Sequence, residues 1–294
     1  MASVKPRLLV IGSRGFLGSH AASAGRSEFE VIEANHSANG GSGLAIDVRD
    51  QTSIKTAFEV AKPESVLLFS AISDIDRCQQ FPEEAEAVNF RGAQYVAEAC
   101  ADGGARLLFT STAAVFDGQK HGYSEDDPVS PVSVYGETKA KAEKAVLALG
   151  SSAIVVRIAL AIGFAANKGT NSILDTLKAK WSSGQVVRLP VHEQRNPIDA
   201  STASRFMLEL LDRNGSGIFH IGCADPITRY DLGLKLAGRM RYPAKQVQPQ
   251  LGPNPGRAPR GPDHYLLTDK LRALSSIPIP TCEQVIERCF NVAA

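Results

Sequence analysis

The most chemically suggestive spacing in this 294-residue chain is a tyrosine followed four positions later by a lysine, in the run Tyr135-Gly136-Glu137-Thr138-Lys139. Positions i and i+4 share one face of a helix, so the ammonium would stand beside the phenol. A nearby ammonium favours the phenolate and lowers the phenol pKa from its usual value near 10. Such a pair can exchange a proton with a carbonyl oxygen or an alcohol while a hydride moves. Because the spacing also arises by chance, the pair alone leaves a catalytic and an incidental interpretation open.

A cluster of hydroxyl side chains precedes this pair. Residues 109–118 read Phe-Thr-Ser-Thr-Ala-Ala-Val-Phe-Asp-Gly, so a predicted strand ends in Thr110, Ser111 and Thr112. Hydroxyls at the carboxyl edge of a sheet can hydrogen-bond a substrate carbonyl and stabilise charge on its oxygen. The structural alternative is that these hydroxyls only hydrogen-bond free backbone groups at the end of the strand.

A glycine-rich turn directly follows the first apolar run, Leu8–Ile11, and reads Gly12-Ser13-Arg14-Gly15-Phe16-Leu17-Gly18. Gly12 permits a sharp turn, Gly15 admits a phosphate close to the main chain, and Gly18 allows close helix packing. The amides of the first helical turn and the helix dipole then face an anion. The motif predicts a dinucleotide cofactor, and we expect every residue of the turn except Ser13 to contact it.

The end of the second predicted strand bears on which dinucleotide is bound. A carboxylate there binds the ribose diol of NAD, but the expected position is Asn35, and Glu33 lies two residues early. Arg14 could pair with a 2′-phosphate in bidentate fashion, and His36 and Ser37 could add donors. These residues favour NADP, with NAD as the alternative.

The first half of the chain alternates between strand and helix patterns. Repeated βα units of this length predict a parallel sheet with helices on both faces, that is, an α/β, Rossmann-type doubly wound fold. Further strand-like runs lie at Phe29–Ile32, Leu44–Ile46, Val66–Phe69, Arg106–Phe109 and Ile154–Val156, and helix-like runs at Thr52–Ala61, Glu83–Ala101 and Val134–Leu149.

The pattern loosens after Arg157, which predicts a smaller C-terminal substrate-binding lobe. Helices are expected at Ser172–Ser182 and Ser201–Leu211, strands at Val186–Leu189 and Gly217–Ile221, and an extended loop over residues 243–262. We expect an NAD(P)-binding domain over residues 1–160, to which the chain returns around 196–222. Residues 161–195 and 223–294 would form the smaller lobe, with substrate between the two.

Composition excludes several classes of protein. A formal net charge of +1 leaves no basic footprint for nucleic acid. The most apolar stretch, Ala153–Ala166, is interrupted by Arg157 and Gly163 and is too short to span a membrane. Five scattered cysteines without CxxC spacing argue against a disulfide framework or a zinc site and fit a reducing compartment. We therefore expect a cytoplasmic protein without a metal site.

Taken together, the glycine turn, the hydroxyl strand end and the Tyr135–Lys139 pair resemble the extended short-chain dehydrogenase/reductases of the NAD-dependent epimerase/dehydratase superfamily. Within them the sequence is most similar to the dTDP-4-dehydrorhamnose reductase family. Four further segments carry that similarity: residues 73–78 (Ser-Asp-Ile-Asp-Arg-Cys), Val88-Asn89, residues 257–260 (Arg-Ala-Pro-Arg) and residues 267–271 (Leu-Thr-Asp-Lys-Leu).

The resemblance implies a role for each matching residue. Thr112 corresponds to the family's catalytic Ser/Thr, Tyr135 to its acid–base tyrosine and Lys139 to its lysine, and the last two also contact the cofactor. The remaining implied cofactor contacts are Asp47 and Val48 at the adenine and the strand-end residues Ser70, Ala71 and Ile72. A capping or loop role for Asp47 is equally open, and Asn89 is expected to hold the strand-end segment.

The chain departs from the family pattern near the expected substrate. It has Thr112-Ala113-Ala114 where the family often shows Thr-Asp-Tyr, and it has no Trp after Arg157. Thr112 and Ala113, with Arg195 and Asn196, are the candidates for substrate contact, and an interdomain salt bridge is the alternative for Arg195.

The expected function is reduction of a keto group on a nucleotide-linked sugar. A sugar epimerase or dehydratase and a non-catalytic NADP-binding regulatory subunit are the alternatives. A homodimer is common in the superfamily and is expected here.

Overall fold

A computed structural model describes residues 5–37, 43–167, 170–252 and 254–291. Strands and helices alternate through its first half. They are β1 (Arg7–Ile11), α1 (Phe16–Gly25), β2 (Glu30–Asn35), β3 (Leu44–Ala45), α2 (Gln51–Ala61), β4 (Ser65–Leu68), α3 (Ile75–Gln80), α4 (Pro82–Ala85), a π-helical turn (Glu86–Arg91), α5 (Gly92–Gly103), β5 (Arg106–Thr112), a 3₁₀ turn (Ala113–Val115), α6 (Val134–Leu147), a second 3₁₀ turn (Gly150–Ser152) and β6 (Ala153–Ile158).

Shorter strands and longer connections follow in the second half. They are β7 (Leu160–Ile162), α7 (Ile173–Ser182), β8 (Val187–Pro190), β9 (Gln194–Arg195), β10 (Pro197–Asp199), α8 (Ala200–Asp212), β11 (Gly217–Ile221), β12 (Ile227–Thr228), α9 (Arg229–Arg239), a 3₁₀ turn (Ala244–Gln246), β13 (Val247–Gln250), β14 (Asp263–His264), α10 (Asp269–Leu274) and α11 (Cys282–Phe290).

Seven parallel strands form the central sheet, in the order β11-β6-β5-β4-β1-β2-β3. The order reverses between β1 and β4, which is where open α/β sheets bind ligands at the carboxyl ends of their strands. This architecture confirms the predicted Rossmann-type doubly wound sheet. Three small sheets (β7 with β10, β9 with β12 and β14, β8 with β13) lie in the second half. Since β11 joins the central sheet, the chain does return to it; the domain boundaries themselves stay a prediction.

Alternation along β1 divides the core between the two faces of the sheet. Leu8 and Val10 belong to one buried cluster, which continues into α8 and the second half of the chain. Leu9 and Ile11 belong to another, which contains the apolar faces of α2, α5 and α6. Successive strand side chains point to opposite faces, so an apolar run buried on both sides is what a two-faced sheet requires.

Two predictions about local structure were incomplete, and some helices were missed. The helix predicted over Glu83–Ala101 is divided by the π-helical turn. The loop predicted over 243–262 contains β13, which pairs in parallel with β8. Helices α3, α9, α10 and α11 were not predicted. Within the four described ranges, no helix is long and apolar enough to cross a membrane.

Candidate active site

The glycine turn lies at the carboxyl end of β1 and opens α1. Gly12 has a φ of +87° and donates its amide to the Ala34 carbonyl at 2.8 Å. Gly18 packs so tightly that a Cβ there would lie 2.1 Å from the Gly12 oxygen. Among the described residues, no side chain caps the amides at the start of α1. Those amides and the helix dipole are suited to bind a phosphate at the sheet edge.

Asn35 and Arg14 hold this turn against the end of β2. The Asn35 Oδ1 accepts from the Arg14 amide at 2.8 Å, and its Nδ2 donates to Ser13 Oγ at 2.8 Å. The Arg14 guanidinium lies at the surface and donates to the Ser37 carbonyl at 3.2 Å. Next to this group the His36 side chain is 72% exposed. The structure thus groups the residues that were predicted to read the ribose, with Asn35 also bracing the turn.

Asp47 forms a local ion pair at the rim of the predicted adenine site. It accepts from Arg49 Nε at 2.9 Å and Nη2 at 2.7 Å, and these hydrogen bonds lower its pKa to about 2. Asp50, rather than Asp47, caps α2 by accepting from the Thr52 amide. Asp47 is therefore not a helix cap, and its contact with the adenine stays a prediction beside a role as a loop residue. The neighbouring Val48 is buried.

The strand-end segment Ser70–Ile72 follows β4 and is held by Asn89. The Ile72 amide donates to Asn89 Oδ1 at 2.7 Å, and Asn89 Nδ2 donates back to the Ile72 carbonyl at 3.0 Å. Asn89 lies in the π-helical turn, a feature that often marks functional sites. Its Nδ2 is also 3.4 Å from Thr138 Oγ1 on α6. One buried amide thereby joins the predicted cofactor segment to the helix that carries Tyr135.

Thr112 and Tyr135 approach each other at the carboxyl edge of the sheet. Thr112 ends β5, and its Oγ1 accepts from the Ala114 amide at 3.1 Å. Tyr135 opens α6, which Ser133 caps. Burial raises the pKa of the Tyr135 phenol to about 12, and hydrogen bonding with Thr112 acts in the opposite direction. The phenol is therefore protonated at neutral pH and suited to donate a proton.

Lys139 is buried one turn further along α6. Its Nζ donates to the Thr110 carbonyl at 2.6 Å and lies 3.9 Å from the centre of the Phe109 ring. Burial lowers the pKa of the ammonium to about 7. The expectation that Lys139 would lower the pKa of Tyr135 is corrected here: desolvation dominates at both groups.

A cavity of about 70 Å³ lies between the sheet edge and the second half of the chain. It brings Thr112 together with Arg195 from β9, Arg260 and His264. Its full lining is Ile75, Thr112, Ala114, Val132, Ser133, Ala159, Arg195, Pro259, Arg260, Gly261 and His264. A larger cavity of about 1420 Å³ lies at the other end of the strands, next to α2 and α5, and is lined by residues outside the predicted site.

The remaining predicted substrate residues are mainly structural. Arg195 donates to the carbonyls of Gly261 and Pro262, both at 3.1 Å, and burial lowers its pKa to about 10. Its ion pair is with Glu193 two positions away, so the proposed interdomain salt bridge was wrong.

Asn196 and Ala113 lie outside the lining of the cavity. Asn196 is fully buried and bonds to the Cys223 carbonyl and to both backbone groups of Leu266. Ala113 is packed into a small apolar cluster with Val115 and Phe116. Substrate contact by either side chain has no support from this geometry.

Asp76 and Arg260 form a contact that sequence reasoning missed. Arg260 donates to both Asp76 oxygens, at 3.0 and 2.9 Å, and Arg257 Nε adds a bond at 3.2 Å. These arginines hold the pKa of Asp76 at about 2. Both partners lie in segments that resemble the family, and that was the available signal. Arg195 and Arg229 lie near the same group, where Glu193 also faces them.

Known proteins resemble this chain along almost its whole length. A family model described as "RmlD substrate binding domain" matches residues 6–294. The beta subunit of methionine adenosyltransferase 2 from Xenopus laevis is 24% identical over 274 residues, which cover 91% of this chain and 82% of that protein. The dTDP-4-dehydrorhamnose reductase of Aggregatibacter actinomycetemcomitans is 30% identical over 183 residues, which cover 61% and 60% of the two chains.

Among solved structures, the dTDP-4-dehydrorhamnose reductase of Bacillus anthracis in complex with NADP superposes with a TM-score of 0.89. The alignment covers 98% of this chain and 99% of that one at 21% identity. At that identity the superposition establishes the shared fold.

Proposed function

The chain belongs to the RmlD substrate binding domain family, and from that premise we propose that it is an NADP-dependent reductase of a keto group on a nucleotide-linked sugar. One observation carries the proposal. A protonated phenol (Tyr135), a hydroxyl (Thr112) and a buried amine (Lys139) stand at the carboxyl edge of the sheet on which the glycine turn opens α1. Proton donor, carbonyl ligand and phosphate site are thus presented at one edge.

The residues present fit NADP. The start of α1 offers amides for the pyrophosphate, and Gly18, where a Cβ would clash with Gly12, lets the turn pack closely on α1. The surface guanidinium of Arg14 and the exposed His36 lie next to the end of β2 and would supply donors to a 2′-phosphate. Bound NADPH supplies the hydride for the carbonyl carbon.

Residues of this chain then bind and protonate the carbonyl oxygen of the substrate. Thr112 donates a hydrogen bond to the carbonyl oxygen and orients it. Tyr135 gives its proton to the alkoxide that forms as the carbonyl carbon is reduced. Lys139, in its protonated form, stabilises the negative charge left on the phenol and offers donors to the ribose hydroxyls.

Charge at the cavity supports a substrate that carries phosphate groups. Arg195 and Arg260 line the cavity, and guanidinium groups are suited to bind phosphate. Ala113 and Ala114 offer no acid–base group beside Thr112. Simple reduction is therefore favoured over epimerisation or dehydration, which usually need additional acid–base groups.

The test is a fluorescence titration with NADPH and NADH, followed by a screen of nucleotide-linked keto-sugars for NADPH oxidation. Tyr135→Phe should lower kcat by about 100-fold or more and leave NADPH affinity within about twofold. Tyr95→Phe on α5 is the matched control and should keep full turnover. Retained activity in Tyr135→Phe would refute the assignment of the proton donor.

A second candidate is a regulatory subunit that binds NADP without turnover. The relative named methionine adenosyltransferase 2 subunit beta, which aligns with 91% of this chain, favours it. NADPH binding without oxidation by any keto-sugar in the screen would support this candidate over the reductase.

Location and assembly belong to the same proposal. All five cysteines are free and buried, which supports a reducing, cytoplasmic location. The resemblance to extended short-chain dehydrogenases supports a homodimer, which analytical ultracentrifugation tests directly.

A further inference from the structure

We propose that Glu143 is a positioning residue that holds Lys139 and the end of β5 in their working arrangement, through a buried junction with Ser111 and Arg157. The proposal rests on the proposed reductase function. Glu143 lies one helical turn beyond Lys139 on α6, just as Lys139 lies one turn beyond Tyr135. It thus extends the same helical face, inward from the site.

The junction is buried and fully bonded. Glu143 Oε1 accepts from Ser111 Oγ at 2.5 Å and from Arg157 Nε at 2.9 Å, and Oε2 accepts from Arg157 Nη2 at 2.7 Å. Glu143 is 3% exposed and Arg157 2%. The Arg157 guanidinium also lies 4.9 Å from the centre of the Phe116 ring.

The hydrogen bond between Ser111 and Glu143 also fixes the positions of the residues on either side of Ser111. The preceding residue, Thr110, presents the carbonyl that Lys139 contacts, and the following residue, Thr112, presents the candidate catalytic hydroxyl. Side chains alternate along a strand, so fixing the Ser111 side chain against α6 fixes the rotation of the strand end. Arg157 secures the same point from β6, where it stands opposite Ser111 in register.

The charge of Glu143 acts directly on Lys139. Burial disfavours the ammonium, and the Glu143 carboxylate opposes that effect. From α3, the Cys78 thiol faces Lys139 too, but burial raises its own pKa and it stays neutral. β5 contributes a neutral carbonyl and the Phe109 ring, and Arg157 on β6 is paired with Glu143. Among the described residues, Glu143 is thus the anion that favours the charged form of Lys139.

A buried ion pair adds little stability over well-packed apolar residues. Apolar residues at these positions could fill the space, but they could not supply negative charge to Lys139. The buried pair therefore serves the charge of Lys139 rather than the stability of the fold alone.

The pH profile separates positioning from a merely structural role. Lys139 loses its proton as pH rises through about 7, so kcat/KM should fall on that alkaline side. Removing the carboxylate in Glu143→Gln makes the ammonium less stable and should move the alkaline limb about one pH unit lower. Activity at pH 8 should then drop about tenfold, with a much smaller loss at pH 6.

A second readout needs neither substrate nor turnover. Lysine labelled with ¹³C at the ε position reports the titration of Lys139 by NMR, and its signal is assigned by its absence from Lys139→Met. Glu143→Gln should lower the midpoint of this titration. Glu137→Gln, an exposed acid on the same helix, should leave it unchanged.

Glu143→Gln leaves Arg157 buried without its partner, which can destabilise the fold. The double variant Glu143→Gln/Arg157→Met removes both charges and should fold, and its midpoint should lie below that of the wild type by less than in the single variant, because the Arg157 cation is gone as well. An unchanged Lys139 midpoint in folded variants overturns the proposal, as does failure of both variants to fold. Suppose that Glu143→Gln lowers the Lys139 midpoint but the wild-type protein reduces no keto-sugar. The positioning role then stands, and the proposed reductase function is refuted instead.

Discussion

Replacing Lys139 by methionine should stabilise the protein at neutral pH while abolishing reduction. The lysine is buried, and its pKa falls from 10.5 to about 7 on folding. The folded state therefore disfavours the charged form that the unfolded chain carries. Methionine has a similar length and no charge, so it removes this penalty and keeps the volume filled.

The size of the effect follows from the pKa shift. A shift from 10.5 to about 7 corresponds to about 5 kcal/mol of folding free energy. The full penalty acts below pH 7, where the lysine is charged in both states. It fades between pH 7 and 10.5, where only the unfolded lysine is charged, and is absent above that range. Loss of the bond to the Thr110 carbonyl and of the Phe109 contact offsets about 2 kcal/mol at any pH.

Urea denaturation at pH 6 and pH 9.5 measures the prediction. The variant should be more stable by about 3 kcal/mol at pH 6, and this advantage should shrink by about 3 kcal/mol at pH 9.5. Subtracting wild type from variant cancels the titration of all other groups. Lys141→Met, which removes an exposed lysine paired with Glu86, is the control and should show no such pH dependence. A stability difference that stays constant with pH would refute the reasoning.

Three further predictions concern the cofactor turn and the cavity rim. Arg14→Ala should weaken NADPH binding at least about tenfold more than NADH binding in fluorescence titrations, and equal losses would contradict its role at the 2′-phosphate. Gly18→Ala, whose Cβ would lie 2.1 Å from a backbone oxygen, should abolish cofactor binding and lower the free energy of unfolding by about 1–3 kcal/mol. Gly238→Ala, with open space at its Cβ, should be neutral or stabilising, so similar losses in both would contradict the packing argument. Asp76→Asn should release Arg260 and speed tryptic cleavage at that loop, and an unchanged cleavage rate would show that the ion pair does not hold it.

The parallel sheet could be predicted because its strands are buried on both faces. A run such as Leu8–Ile11 is apolar at every position, and all four of these side chains are inaccessible to solvent. No such local signal exists for β13, which contains Pro249 and pairs with β8 far earlier in the chain. Proline is tolerated there because β13 is an edge strand, and its pairing depends on tertiary contacts that a sequence window does not contain.

The π-helical turn shows a second limit of periodicity. An apolar pattern over 83–101 predicts a helix correctly, but the turn at Glu86–Arg91 changes the register within it. That change orients Asn89 toward Ile72, where it makes two hydrogen bonds. The Asn89 amide makes these bonds only because Ile72 lies close to it in the folded protein. The sequence pattern carries no information on the distance between these two residues.

In the candidate site, too, contacts within one element could be predicted from the sequence, whereas contacts between distant segments could not. Tyr135 and Lys139 are found by spacing because one helix carries both. Asp76 and Arg260 are separated by 184 positions, so their ion pair is a product of the folded chain. Sequence similarity marked both segments, but it could not indicate that the two segments meet at the cavity.

The electrostatics of the Tyr135–Lys139 pair depend on burial, which spacing does not report. With a pKa of about 12, the phenol is ionised in only about one molecule in 10⁵ at pH 7. Proton donation draws on the abundant form of Tyr135, whereas alcohol oxidation requires the rare phenolate as acceptor. The same burial that reverses the expected pKa shift of Tyr135 thus keeps the phenol in the form that donates a proton. Lys139, whose ammonium is only partly populated at pH 7, assists that step in its charged form, which the Glu143 carboxylate favours.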